Sequence, residues 1–333
     1  MLDPVAGAPA PESFIGDLLG TRTPEQTDFA RRLLDALKRS LPDLVPRSLE
    51  HPFQAEISQG LGGTSALLAV LDAPVPHPVE AQVAALDALA RIGEHHPLSK
   101  EVMSALRKSL AAAKDPQVAS VAARALAVGR DPEFLAQQRA FLGSTDLAQL
   151  RISARLLGYA KDPAAAPVLL ELLTLDRTAV ADVVIWALGQ IGDEAAVPRL
   201  HAFLERSIHP EVVIAAVGHI GARLSVMRTL PVLLDGPTPL REAAAEALAR
   251  IIQKQEGRLG DRDLGRSVLE ALGKVWPSDP SKKVRFWAML GYAGLGGHLA
   301  PNEILTALGG GLTDKDLEAV GNLLSKRAPR PKK

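Results

Sequence analysis

The sequence predicts an all-α fold, an α-solenoid built from antiparallel helix pairs. The first observation is a short triplet that recurs along the chain: a small or apolar residue, then Leu or Val, then Ala or Gly. In one register the central residues lie 37, 31, 31, 29, 31 and 42 residues apart, and self-similarity at such a period is typical of solenoids. These central residues are Leu89, Leu126, Leu157, Leu188, Val217, Leu248 and Leu290.

The second observation is a core with few aromatic rings. Of the 333 residues, 47% are hydrophobic but only 4% are aromatic. Ala and Leu are strong helix formers, and a core of Ala, Leu and Val suits helices that pack closely. A repeat array of such helices can extend over the length of this chain as one body.

The third observation is that two kinds of helix alternate, joined by short connections. Joints such as Asp115-Pro116, Asp131-Pro132 and Asp162-Pro163 place a capping residue before a proline at the first helical position. The same chemistry is expected at Asp279-Pro280, His209-Pro210 and Thr238-Pro239. The first helices are predicted near 64–72, 98–112, 132–141, 163–174, 194–206, 224–234 and 263–276. The second helices are predicted near 79–93, 116–129, 147–160, 178–192, 210–222, 239–255 and 281–293.

The two ends of the chain depart from the repeat. Residues 1–60 are predicted to be a disordered lead followed by a helical cap or adaptor, because Thr23-Pro24 begins an amphipathic helix that extends to about Ser40. Residues 61–325 form the predicted array, which ends in a polar helix from Asp314. Residues 326–333 are basic and are expected to be a solvated tail.

Charge and cysteine content exclude several classes of function. Lys and Arg number 38, as do Asp and Glu, so the formal net charge is zero. This balance weighs against attraction of the whole protein to nucleic acid or anionic lipid, although a local patch is compatible with it. The absence of cysteine excludes disulfides and thiolate metal sites. With no basic-then-apolar leader and no run approaching the ~18 apolar residues of a membrane span, we expect a cytoplasmic protein.

The repeat units resemble the HEAT-repeat family, including the short HEAT-like repeats of phycobilisome lyases, over roughly residues 64–325. The resemblance is carried best by residues 145–222, with Asp146, Arg151 and Leu157-Gly158 in one unit and the segment 186–192 (WALGQIG) in the next. It implies a right-handed superhelix in which Arg151 ties adjacent repeats. Members of this family include scaffolds, adaptors, lyases, a hydroxylase and DNA glycosylases, so the fold alone does not identify the function.

Motifs for catalysis are missing from the sequence. It contains no Gly-x-Ser-x-Gly, no Ser-x-x-Lys and no phosphate-binding Gly-x-x-x-x-Gly-Lys. No His-x-x-x-His or His-Glu pair occurs, which argues against a metal site and against the hydroxylase activity. We see no aromatic concentration to line a tetrapyrrole pocket, which argues against a lyase. We therefore expect no enzymatic activity, no cofactor and no metal.

The second helices offer a candidate binding face. Positions six before, two before and two after each central residue share one side of the helix, because four residues make about one turn. This face is basic in the first half of the array and acidic in the second half, with two aromatic residues at the junction. Aromatic and Arg side chains are enriched at binding hot spots. The candidate contacts are Arg91, Arg124, Arg155, Tyr159, Asp182, Trp186, Gln190, His219 and Glu246.

Other interpretations of this face stay open. The charged positions also fit the solvated side of ordinary amphipathic helices, and Trp186 also fits a core position. Trp186 with Asp182 is the one pair comparable to a DNA glycosylase site. We expect a scaffold or adaptor that binds another protein or a helical peptide, with a nucleic-acid-binding protein as the alternative.

Overall fold

The computed structural model describes residues 63–72, 78–174, 178–205 and 207–297. The predicted N-terminal lead and cap, the polar helix from Asp314 and the basic tail lie outside the described residues. Within the described part, the regular structure is entirely helical, which confirms the all-α prediction.

Fourteen α-helices and three short 3-10 turns make up the described part of the chain. The first helices of the pairs are α1 (Gly63–Leu71), α3 (Lys100–Ala112), α5 (Pro132–Phe141), α7 (Ala166–Thr174), α9 (Val197–Leu204), α11 (Val226–Asp235) and α13 (Arg262–Val275). The second helices are α2 (Val79–His95), α4 (Pro116–Val128), α6 (Leu147–Ala160), α8 (Thr178–Ile191), α10 (Pro210–Ile220), α12 (Thr238–Lys254) and α14 (Lys282–Gly294). The 3-10 turns Pro163–Ala165, Glu194–Ala196 and Arg223–Ser225 precede α7, α9 and α11.

The described residues belong to two compact units. The N-terminal unit ends at Asp193 and contains α1–α8, and the C-terminal unit begins at Glu194 and contains α9–α14. Each unit has its own buried apolar core. Leu86, Leu126 and Leu157 are fully buried in the first unit, and Leu200 and Leu248 in the second.

Aspartate caps start several helices, as the sequence predicts. Asp115 and Asp131 accept hydrogen bonds from the first backbone amides of α4 and α5, and Asp162 does the same for the 3-10 turn before α7. The prediction is wrong for His209 and Thr238, which make no such cap bond. Ser281, two residues after Asp279, is the side-chain cap of α14.

Two of these caps also tie successive first helices together. The Nε atom of Arg107 on α3 lies 2.7 Å from the carboxylate of Asp131, which is only 1% exposed. One repeat later, Arg139 on α5 lies 2.6 Å from the carboxylate of Asp162. One carboxylate therefore caps a helix and pairs with the preceding first helix.

The recurring triplet is explained by the packing between second helices. Helix α6 packs on α8, and α10 packs on α12. A Cβ atom added at Gly158 would lie 3.0 Å from the Cα of Ala187, and one added at Gly218 would lie 2.5 Å from the Cα of Ala247. The last residue of one triplet (Gly158 or Gly218) thus faces the first residue of the following triplet (Ala187 or Ala247). Because both residues are small, the two helices pack closely.

Candidate functional site

The second helices of the N-terminal unit bring most of the predicted contacts onto one face. Helices α4, α6 and α8 each contribute one large side chain: Arg124, Tyr159 and Trp186, all partly exposed. Beside them on α6 lie Ile152 and Arg155. We call these five residues the second-helix patch.

The three large side chains form a continuous stack across three repeats. The rings of Tyr159 and Trp186 meet edge to face, with centroids 5.1 Å apart and planes at 72°. The guanidinium carbon of Arg124 lies 6.0 Å from the centre of the Tyr159 ring, within the range of a cation–π contact. Edge-to-face pairs are a favoured aromatic geometry, so each repeat helps to fix the position of its neighbour's side chain.

At one edge of the patch, Asp87 on α2 joins two arginines. It pairs with Arg91 on the same helix, with a nitrogen–oxygen distance of 2.8 Å, and with Arg124 on α4. The predicted contacts Arg91 and Arg124 are therefore brought together around one carboxylate. Arg124 is held from one side by Asp87 and from the other by Tyr159.

At the opposite edge, Arg151 on α6 binds Asp182 on α8. Two nitrogens of the guanidinium donate to the two carboxylate oxygens, both at 2.9 Å, and Arg151 also donates to the carbonyl of Ala179. This arrangement confirms that Arg151 ties adjacent repeats.

The same pairing controls the ionisation of Asp182. Burial alone would raise the pKa of this carboxyl, but the hydrogen bonds and the charge of Arg151 outweigh burial and hold the pKa below its ordinary value. The carboxylate is thus engaged in an ion pair. It does not stand free beside Trp186, as base-excision chemistry would require.

Arg155 and Ile152 are the exposed members of the patch. Arg155 forms no ion pair with the described residues, so its charge is available to a partner. Ile152 is 55% exposed, although it is a large apolar residue. Sequence reasoning missed Ile152; the available signal was an isoleucine three residues before Arg155, on the polar side of α6.

Gln190 differs from the other predicted contacts of this unit because it is only 7% exposed. It lies one turn after Trp186 on α8, and its amide nitrogen is buried without a hydrogen-bond partner in the described structure. The Nε atom of Arg124 is likewise buried without a hydrogen-bond partner in the described structure. Both atoms are nitrogen donors beside the aromatic pair.

The remaining predicted contacts, His219 and Glu246, lie in the C-terminal unit. Glu246 pairs with Arg250, 2.7 Å away on the same helix, and Arg250 lies 5.3 Å from the ring centre of Trp287. His219 is partly exposed, and its backbone carbonyl accepts a hydrogen bond from Lys254. The predicted change of charge along the whole array involves both units and stays a prediction.

A buried polar pair also occurs in the C-terminal unit. His201 on α9 is 7% exposed, and its Nε2 atom lies 3.2 Å from the hydroxyl of Ser225. Burial, reinforced by the positive charge of Arg228, lowers the pKa of His201.

The described residues offer neither a metal site nor a membrane span. They contain no group of three or more His, Cys, Asp or Glu side chains that could hold a metal ion. No helix in the described ranges is long and apolar enough to cross a bilayer.

Three solved structures are similar to the chain at low sequence identity. The complex of CpcE and CpcF of phycocyanin lyase from Nostoc sp. PCC7120 is 20% identical, covering 68% of this chain and 93% of that one, with a TM-score of 0.42. One engineered protein is 20% identical, covering 70% and 96%, with a TM-score of 0.29. A second engineered protein is 18% identical, covering 96% and 99%, with a TM-score of 0.41. At these identities and TM-scores the likeness says nothing about the activity of this chain.

A family match locates the repeats in the sequence. No curated protein matches the chain significantly. The HEAT-repeat family matches residues 135–221, a range that includes Ile152, Arg155, Tyr159 and Trp186 of the second-helix patch. Residues 135–221 are therefore HEAT repeats, as the resemblance in the sequence implied.

Proposed function

We propose that this chain is a non-enzymatic scaffold or adaptor that binds another protein on the second-helix patch of its N-terminal unit. The observation that carries the proposal is the stack of Arg124, Tyr159 and Trp186, which spans three repeats and stays partly exposed. Arg, Tyr and Trp dominate the binding energy of many protein interfaces.

The ion pairs around the stack support the same function. Arg124 is fixed by Asp87 and Arg151 by Asp182, so the neighbouring helices hold the aromatic pair in place. A surface that is ordered before binding loses less side-chain entropy when a partner docks. Arg155 is exposed without an ion pair in the described structure and supplies the charge that a partner would contact. Ile152, which is also exposed, supplies the apolar area.

Site-specific photo-crosslinking in the native host tests the proposal. A photoreactive residue at Ile152 should give a discrete protein adduct, because this position is the exposed apolar member of the patch. The control is the same residue at Val168, a half-exposed apolar position on first helix α7. Adding Trp186→Ala and Arg155→Glu should remove the Ile152 adduct while circular dichroism stays unchanged. Equal adducts from both positions, or an Ile152 adduct that survives the double substitution, would contradict the proposal.

A further inference from the structure

We infer that the partner bound at the second-helix patch is an amphipathic helix whose polar edge is acidic. This inference rests on the proposed function, and it adds the chemistry of the partner. It follows from the charges that remain free around the aromatic pair and from the shape of the surface that surrounds it.

The charge that the patch leaves free for a partner is positive. Asp87 and Asp182, the carboxylates beside the stack, are both engaged by arginines. Arg155, by contrast, stays exposed and makes no ion pair with the described residues. A surface with free donors and occupied acceptors is complementary to carboxylates.

The apolar part of the patch determines the shape of the partner. Ile152, Arg155 and Tyr159 stand at positions i, i+3 and i+7 of α6, so they form one ridge along the helix. Trp186 on α8 meets the Tyr159 ring edge to face and widens this ridge toward the next helix. An amphipathic helix packs against such a ridge, because the ridge enters the groove between the side-chain rows of the partner helix.

A peptide that binds by strand addition does not fit this surface. Strand addition requires a row of unpaired backbone amides and carbonyls at a sheet edge. The patch lies on three helices, whose backbone groups are hydrogen-bonded within each helix, so only side chains are offered. A helix, which also presents only side chains, is the matching partner.

Three labelled peptides of about 18 residues test the charge of the partner on the full-length chain. Peptides of this length form about five helical turns, and shorter ones are only marginally helical in water. All three carry the same leucine stripe, and their polar edges carry Glu, Gln or Lys. Fluorescence polarisation should show that the Glu peptide binds about tenfold more tightly than the Lys peptide, with the Gln peptide between them. Arg155→Glu should reverse this order. Lys108→Glu, an exposed charge reversal on first helix α3, is the matched control and should leave the order unchanged.

The outcomes separate the chemistry of the partner from the proposed function. Equal binding of the three peptides, tighter binding of the Lys peptide, or no binding of the Glu peptide would overturn the acidic helix. Reversal by Lys108→Glu as well as by Arg155→Glu would also overturn it, because the effect would then come from overall charge. In each case an Ile152 adduct in the crosslinking experiment would leave the proposed function standing. Loss of that adduct would remove both.

Discussion

The close packing of α10 on α12 makes Gly218→Ala a sensitive test of the repeat geometry. A methyl group at this position would lie 2.5 Å from the Cα and 2.7 Å from the Cβ of Ala247. Carbon atoms pack best at about 3.5–4.0 Å, so the two helices must separate by roughly 1 Å. The atom approached is backbone, which cannot move away as the end of a flexible side chain can.

Two opposing terms determine the size of the effect. Overpacking a close core contact costs about 1–3 kcal/mol, while replacing Gly by Ala inside a helix gains about 0.5–1 kcal/mol. We therefore expect Gly218→Ala to lower the free energy of unfolding by about 1–2 kcal/mol. Because the unfolding entropy grows with chain length, such a loss in a chain of 333 residues lowers the melting temperature by roughly 1–3 °C.

Gly265→Ala provides the control, because it adds the same methyl group to another helix of the same unit. Gly265 lies within α13, and no heavy atom lies within 4 Å of the added Cβ. Only the helix-propensity term remains, so this variant should be stabilised by about 0.5–1 kcal/mol. Urea unfolding followed by circular dichroism measures both changes. If Gly218→Ala were as stable as the wild type or as Gly265→Ala, the explanation of the triplet by helix contact would be wrong.

Three further predictions concern the polar contacts. Asp131→Ala removes a helix cap and leaves Arg107 unpaired, so it should cost about 2–3 kcal/mol in thermal or urea unfolding, whereas Asp131→Asn, which keeps an acceptor for the cap, should cost less. His201 has a folded-state pKa below 6.5, so the folded protein binds fewer protons than the unfolded chain and stability should fall as the pH falls through 6.5. Replacing His201 by Leu should flatten this part of the stability curve, and an unchanged pH dependence would rule His201 out as its source. Arg151→Asp and Asp182→Arg should each destabilise, and the double exchange should restore about 0.5–1 kcal/mol, because both side chains are partly exposed. Additive losses in that cycle would show that the pair contributes no coupling.

The order and type of the helices could be predicted from the sequence because both depend on local signals. The recurring triplet, at intervals of 29 to 42 residues, places each second helix, and an aspartate before a proline marks where α4 and α5 begin. His209 and Thr238 failed as caps even though their sequence context is similar. At α12 the chain enters the helix one residue earlier, and Pro237 stands at the cap position.

The candidate site could be predicted only in part, because helical periodicity gives the direction of a side chain but not its neighbour. Arg124, Tyr159 and Trp186 were placed correctly on one face, and the structure brings them into contact. The periodicity did not show that Asp182 is occupied by a partner 31 residues earlier in the chain. It also did not show that Gln190 is buried, although Gln190 shares its helical position with the partly exposed Tyr159 of the preceding repeat.

The patch thus uses its charged residues for two different purposes. A guanidinium that pairs across two helices, as Arg124 does with Asp87, fixes the geometry of the repeats and gives up most of its attraction for a partner. An unpaired one, such as Arg155, contributes little to the fold but keeps its full charge for binding. Substitutions at paired arginines should therefore change stability and binding together, whereas substitutions at Arg155 should change binding alone. Measuring both quantities for Arg124→Ala and Arg155→Ala decides whether this division is correct.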